Sequence, residues 1–303
     1  MSTPRPGYLY GLAAYVCWGF FPIYFKQLLP SGPVEILAHR VVWSAVFMTL
    51  VLTVIRRWGA IGALVRSPRK LGGAALAAAL IGVNWGVYIY GVNTERIVET
   101  SLGYFINPLI TVLLGVVLLA ERLRSAQWVA LGLGAVAVAV LTVDYGRLPY
   151  IALTLAVSFG CYGLVKKRLA LHAAEGLLVE SAALAVPASI FLGVLAAHGE
   201  GTVGHVSAIH TALVLAVGGV SAVPLLFFAG AANRIPLVAL GMLQYVTPVL
   251  QLAVGVFVYH EPMPPARLAG FALVWLALAV FTWDGLRAAR RRATVAEPDY
   301  ATR

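Results

Sequence analysis

The chain has 303 residues, 61% of them hydrophobic and 11% charged, and its mean hydropathy is +0.88. A soluble domain carries roughly 25% charged residues, so an ordinary water-facing surface is excluded and a polytopic helical membrane protein is expected. The formal charge of +10 does not mark a nucleic-acid binder, because Lys and Arg fall between apolar runs and form no patch interleaved with aromatics. Cys17 and Cys161 both lie inside apolar runs and read as small packing residues. No Cys/His spacing suits a metal, and neither a metal nor a cofactor is expected.

A spanning helix needs about 20 mostly apolar residues. Applied in chain order, that rule predicts ten spans, at about 8–29, 34–55, 71–92, 98–119, 126–143, 148–165, 177–197, 209–230, 235–258 and 266–284. The runs lack the period-2 alternation of a membrane barrel. Connections are short, so no soluble domain is inserted. The first run is too long for a signal-peptide core and is read as an uncleaved first helix. The tail after Trp283, with its RAARRR cluster, is expected to be solvated and unstructured.

Of the 22 Lys and Arg, only Lys26, Arg40, Arg96, Arg147 and Arg267 fall on one side of this arrangement; all the others fall on the opposite side, with both termini. Positively charged loops stay cytoplasmic, so both termini are expected inside, which needs an even number of spans.

The fourth run, SLGYFINPLITVLLGVVLLAER, has a partner. An offset of 140 takes Pro108 to Pro248, Gly115 to Gly255, Glu121 to Glu261 and Asn93 to Asn233. An offset of 141 takes Gly19 to Gly160 and Lys26 to Lys167, while Glu35 and Glu180 lie near the starts of spans 2 and 7. The matches are colinear, and five spans per half is odd, so the second copy would enter the membrane inverted. The expected fold is therefore all-α, with ten transmembrane helices as two inverted five-helix repeats, 1–145 and 146–285, and a basic cytoplasmic tail, 286–303.

Tyr104, Pro108, Thr111 and Gly115 are spaced to share one face of span 4, as Gln244, Pro248, Gln251 and Gly255 are in span 9. Each interior proline frees a carbonyl, which in hydrocarbon needs a partner or a wet cavity. Asn107 and Thr247 precede the prolines, and Tyr245 lies beside Gln244. These residues predict two kinked helices lining a substrate path, with Pro108 and Pro248 as hinges; a purely structural pair of kinks is the other reading. In span 2, Glu35 and His39 share a face, Arg40 is close enough to pair with Glu35, and Trp43 continues one turn deeper. Charges in a bilayer pair, snorkel or serve a pathway, so this cluster reads either as a gate or proton site, with His39 the carrier, or as an interfacial group reaching water. Trp18, Asn84, Trp85 and Tyr88 lie deep enough to line the path, whereas Tyr8, Trp58, Trp128 and Trp283 read as interface anchors. Gly72, Gly73, Gly132, Gly134, Gly218 and Gly219 read as close-packing positions.

No HExxH, GxSxG or GxxxxGK[ST] motif is present, so no enzyme is expected and ATP would not drive transport from within this chain. LAAYVCWGFFPIYFK, EILAHRVVWS, IGVNW, SLGYFINPL and FGCYGLVKK resemble RarD-like permeases of the EamA group, in the drug/metabolite transporter superfamily. QYVTP and YHE extend the resemblance more loosely into the second half, and Ala120 replaces a Gly that often precedes the Glu-Arg pair. The resemblance implies ten helices in two inverted repeats in the bacterial inner membrane, and an alternating-access permease exporting small metabolites or drugs; the family's name links it to chloramphenicol sensitivity. The implied partners are a small-molecule substrate and the lipid bilayer, with a homodimer admissible. The competing readings are an enzyme or flippase on lipid-linked substrates, with Glu35–His39 as the one candidate catalytic pair, and a non-transporting accessory protein.

Overall fold

In the computed structural model, residues 5–295 are described, except 55, 57, 60, 63–65, 121, 170–172, 233 and 236. Every regular element among the described residues is helical. Helices α1 (Arg5–Gly19) and α2 (Phe21–Lys26) make the first span. Then come α3 (Pro33–Val54), α4 (Pro68–Asn93), α5 (Ile97–Leu119), α6 (Ser125–Tyr145), α7 (Tyr150–Leu169), α8 (Ala173–Ala197), α9 (Ala208–Ala232), α10 (Leu237–Leu243), α11 (Val246–Ala253) and α12 (Pro265–Val295). Among the described residues, nine spans are long and apolar enough to cross a membrane, and Tyr150–Lys166 is a shorter apolar tenth.

Local rules set several boundaries. Proline opens α3, α4 and α12, where its missing N–H costs nothing and its fixed φ suits a first turn. Gly146, at φ +64°, closes α6 in the left-handed conformation that lacks a Cβ penalty. His260 takes a positive φ of 53° and ends the ninth span just before Glu261. Large apolar side chains such as Leu9, Val54, Val143 and Phe257 are mostly exposed, as expected of helices whose solvent is lipid.

Two expected spans are interrupted. Pro22 near the start of α2 splits the first at Phe20. The ninth breaks at Gln244–Tyr245 between α10 and α11, then loosens into wide π-type turns over Val254–Val258. Pro248 has no N–H for the Gln244 carbonyl, which is reached instead by the Thr247 N–H at 3.3 Å. By contrast, α5 runs unbroken through Pro108. The basic tail also departs from expectation: α12 continues through RAARRR to Val295, because that stretch holds only helix-tolerant residues, rich in Ala and Arg, and no Gly or Pro. Residues 296–303 lie outside the described residues.

The chain forms two compact units, Met1–Tyr104 with Ile151–Pro262, and Phe105–Tyr150 with Met263–Arg303. In the first, α3 packs between α8 and α9, α9 also packs on α1, and α1 packs on α11. Gly218 makes the α3–α9 approach close: a Cβ there would collide with the backbone of Trp43 and Ser44. Gly73 against Leu169 and Gly219 against Phe47 are packing positions as expected, but Gly72 has nothing within 4 Å.

In the second unit, α6 and α12 pack against each other. Ion pairs clamp both ends of this antiparallel pair: Arg124 with Asp284, and Arg267 with Asp144 at 2.8 Å. Between them Phe105, Phe271 and Trp275 pack edge to face. Gly134 sits against Leu109, while Gly132 faces open space.

Candidate substrate site

The interrupted first span places a free carbonyl inside the first unit. In a continuous helix the Trp18 carbonyl would accept from the N–H four residues on, but that residue is Pro22, which has none. The side chain of Gln251 fills the gap, its Nε2 donating to the Trp18 carbonyl at 3.1 Å and lying 3.2 Å from the Tyr88 hydroxyl. Thr247, one turn earlier, donates to the Tyr15 carbonyl at 2.8 Å. The polar face expected on span 9 thus exists, and its partner is the backbone of span 1. Reading the sequence missed the proline responsible, Pro22, although the rule applied to Pro108 and Pro248 identifies it equally well.

From Tyr88 an aromatic cluster spreads across the unit. Its ring lies 5.9 Å from Tyr104 and 5.9 Å from Phe25. The Arg40 guanidinium stands over Trp85 at 4.2 Å, with Phe25 at 5.6 Å and Phe21 at 6.0 Å. Arg40 is only 5% exposed, and Trp85 and Tyr88 are buried. Trp18 packs on Tyr15 and Phe228. Asn84 is tied to α7 through the Leu155 carbonyl at 3.0 Å and Ser158 at 3.1 Å. Trp18, Arg40, Trp85, Tyr88, Tyr104 and Gln251 are therefore joined in one chain of contacts, with Asn84 on the neighbouring face and Gln244 and Tyr245 at the helix break. Asn107, buried with an unpartnered Oδ1, and Pro108 belong to the second unit.

The expected Glu35–Arg40 pair does not form. Glu35 instead accepts from the backbone N–H and hydroxyl of Thr202, at 2.8 and 2.9 Å, because a buried carboxylate in the first turn of a helix can reach a neighbouring loop's donors. Thr202 continues to Ser31 and on to His210, which also meets the Leu28 carbonyl at 3.0 Å. His210 was not singled out from the sequence; a titratable residue two positions into an apolar span was the signal. His39 lies one turn from Glu35 with its Nδ1 buried and unpartnered.

The other buried acids of this unit are likewise engaged. Glu180 accepts from Lys166 at 2.7 Å and Tyr162 at 3.1 Å. Glu99 accepts the N–H of Ile151 at 3.1 Å. Glu261 takes the N–H groups of Ile97 and Val98 at 2.6 and 2.8 Å, satisfying the open first turn of α5. Burial pushes the Glu261 carboxyl above the usual carboxylate range, against these two donors, which favour its ionised form. Its repeat partner Glu121, like Asn233, lies outside the described residues. Arg40 is left without a carboxylate among the described residues, although a buried charge ordinarily needs a partner. No group of three or more His, Cys, Asp or Glu suited to a metal occurs among the described residues. Tyr8, Trp58, Trp128 and Trp283 are all exposed, as expected of interface anchors.

A bundle of apolar spans with a polar, aromatic cluster buried inside it is the architecture of a multi-pass membrane protein, and the comparisons with known proteins make it a transporter. Residues 5–143 match the EamA-like transporter family. Protein RarD of Streptomyces exfoliatus is 54% identical over 290 residues, covering 96% of this chain and 92% of that one. The uncharacterized transporter YojE of Bacillus subtilis is 42% identical over 290 residues, covering 94% and 96%. One solved crystal structure, 20% identical in sequence, shares the fold with a TM-score of 0.59 over 94% of this chain and 99% of its own. The chain belongs to the EamA-like transporter family, among its RarD-like permeases.

Proposed function

We propose that this chain is an alternating-access permease that exports small metabolites or drugs across the bacterial inner membrane, with both termini cytoplasmic. The observation that carries this reading is the buried cluster of Arg40, Trp85, Tyr88, Tyr104 and Gln251, held where spans 1 and 9 are both broken. Discontinuous helices at membrane depth are tolerated where they are buried in protein or line a cavity, and they mark substrate sites in many carriers. The orientation is supported by the uneven distribution of Lys and Arg between the two sides. The colinear offsets near 140 support a duplication into two inverted repeats, 1–145 and 146–285. Trp18, Asn84, Asn107, Gln244, Tyr245 and Thr247 complete the proposed path, with Pro108 and Pro248 as hinges and Glu35 and His39 as the gate.

Counterflow tests the reading. Proteoliposomes preloaded with an unlabelled metabolite should take up the labelled compound faster than empty ones, and recover it chemically unchanged. A modified product, or equal uptake with and without preloading for every compound of a broad panel, contradicts a carrier. Replacing Pro108 and Pro248 together with alanine should slow exchange while leaving membrane insertion intact; wild-type exchange in that variant removes the hinges.

A further inference from the structure

We infer that the substrate is a small organic acid with an apolar body, and that Arg40 takes its carboxylate. This deepens the carrier reading above and rests on it. Arg40 is 5% exposed, its Nε is buried without a hydrogen-bond partner, and its contacts are the faces of Trp85, Phe25 and Phe21. Aromatic faces attract a cation, but they leave guanidinium N–H donors unsatisfied. Every buried acid described in this unit is already used: Glu35 by Thr202, Glu99 by Ile151, Glu180 by Lys166 and Tyr162, and Glu261 by Ile97 and Val98. Among the described residues of this unit, the protein thus supplies a desolvated cation and no counter-charge.

One further donor is open to an external acceptor: on the same helix, one turn beyond His39, the indole Nε1 of Trp43 is buried without an acceptor. The charge selects the ligand. Lys26 pairs with Glu95, and Lys166 with Glu180, so among the described residues Arg40 is the cation of this cluster that lacks a carboxylate. A planar monoanion that accepts two parallel N–H groups matches it better than a doubly charged phosphate.

The test is thermal stabilisation of the purified full chain in detergent, which needs no transport. The probes are benzoate, phenylacetate and indole-3-acetate, each beside its neutral amide, with phenyl phosphate as the other source of oxyanion. At least one carboxylate should stabilise the protein where its amide does not. Arg40→Gln should weaken that carboxylate about thirtyfold or more, as loss of one partner of a buried charge pair does. Ligand-free Arg40→Gln should melt no lower than the wild-type protein, since it removes an uncompensated buried charge. Arg40→Lys keeps the charge but not the fork, and should bind more weakly while remaining folded. The inference is overturned if amides stabilise as well as acids, if no acid stabilises, if phenyl phosphate is preferred to every carboxylate, or if ligand-free Arg40→Gln melts lower. Arg40-dependent binding without counterflow would sink the carrier reading alone; counterflow of compounds indifferent to Arg40 would sink this inference alone.

Discussion

At the scale of single residues, Pro22 and Gln251 act on one atom, the Trp18 carbonyl. The proline removes the N–H that would have satisfied it, and the glutamine supplies another from a different span. Interhelical hydrogen bonds in membranes average about 0.6 kcal/mol and reach about 1.7. Gln251→Leu should therefore lower stability by about 1 kcal/mol in a denaturing-detergent titration, because its partner carbonyl is left bare. Pro22→Ala returns an in-helix donor to that carbonyl, so Gln251→Leu should cost measurably less in the Pro22→Ala background. Additive effects in the double variant would show that the proline and glutamine do not share the carbonyl. Gln251 was legible as a path-facing residue from its spacing with Pro248. Its partner was not, because a sequence gives no distance between spans.

Among elements, α3 carries the most consequence. It holds Arg40 against Trp85 on α4 and packs on α8 and α9. The contact with α9 depends on Gly218, where any Cβ meets the backbone of Trp43 and Ser44. Backbone cannot move aside as a flexible side chain can. Gly218→Val should thus lower stability by about 3 kcal/mol and disturb the helix that presents Arg40, read as a lower melting temperature and weaker ligand response together. Gly132→Val, which meets open space, should do neither. The helices themselves were legible from apolar length, and their order holds throughout. Small residues were not: Gly218 and Gly132 look alike in sequence, and only the neighbouring helix distinguishes them. The Glu35–Arg40 pairing failed for a related reason. Sequence proximity makes a pair available, but Thr202 arrives from a distant loop and takes the carboxylate first.

At the scale of the whole molecule, the acids and bases sort into two kinds. Most buried charges have a structural partner: Glu261 and Glu99 satisfy open helix starts, and Arg124–Asp284 and Arg267–Asp144 clamp α6 to α12. Arg40 has no carboxylate partner among the described residues, and on the inference above it is the charge offered to a solute rather than to the fold. The central claim is that the cluster beside it opens to each face of the membrane in turn. Tyr104, partly exposed and packed on Tyr88, reports on that cluster. With Cys17 and Cys161 changed to serine and Tyr104 to cysteine, a membrane-impermeant maleimide should label oriented proteoliposomes from the outside and, in a separate sample, from the lumen. A carboxylate that binds at Arg40 should shift the ratio of the two. Labelling from one face only, unchanged by ligand, would contradict alternating access.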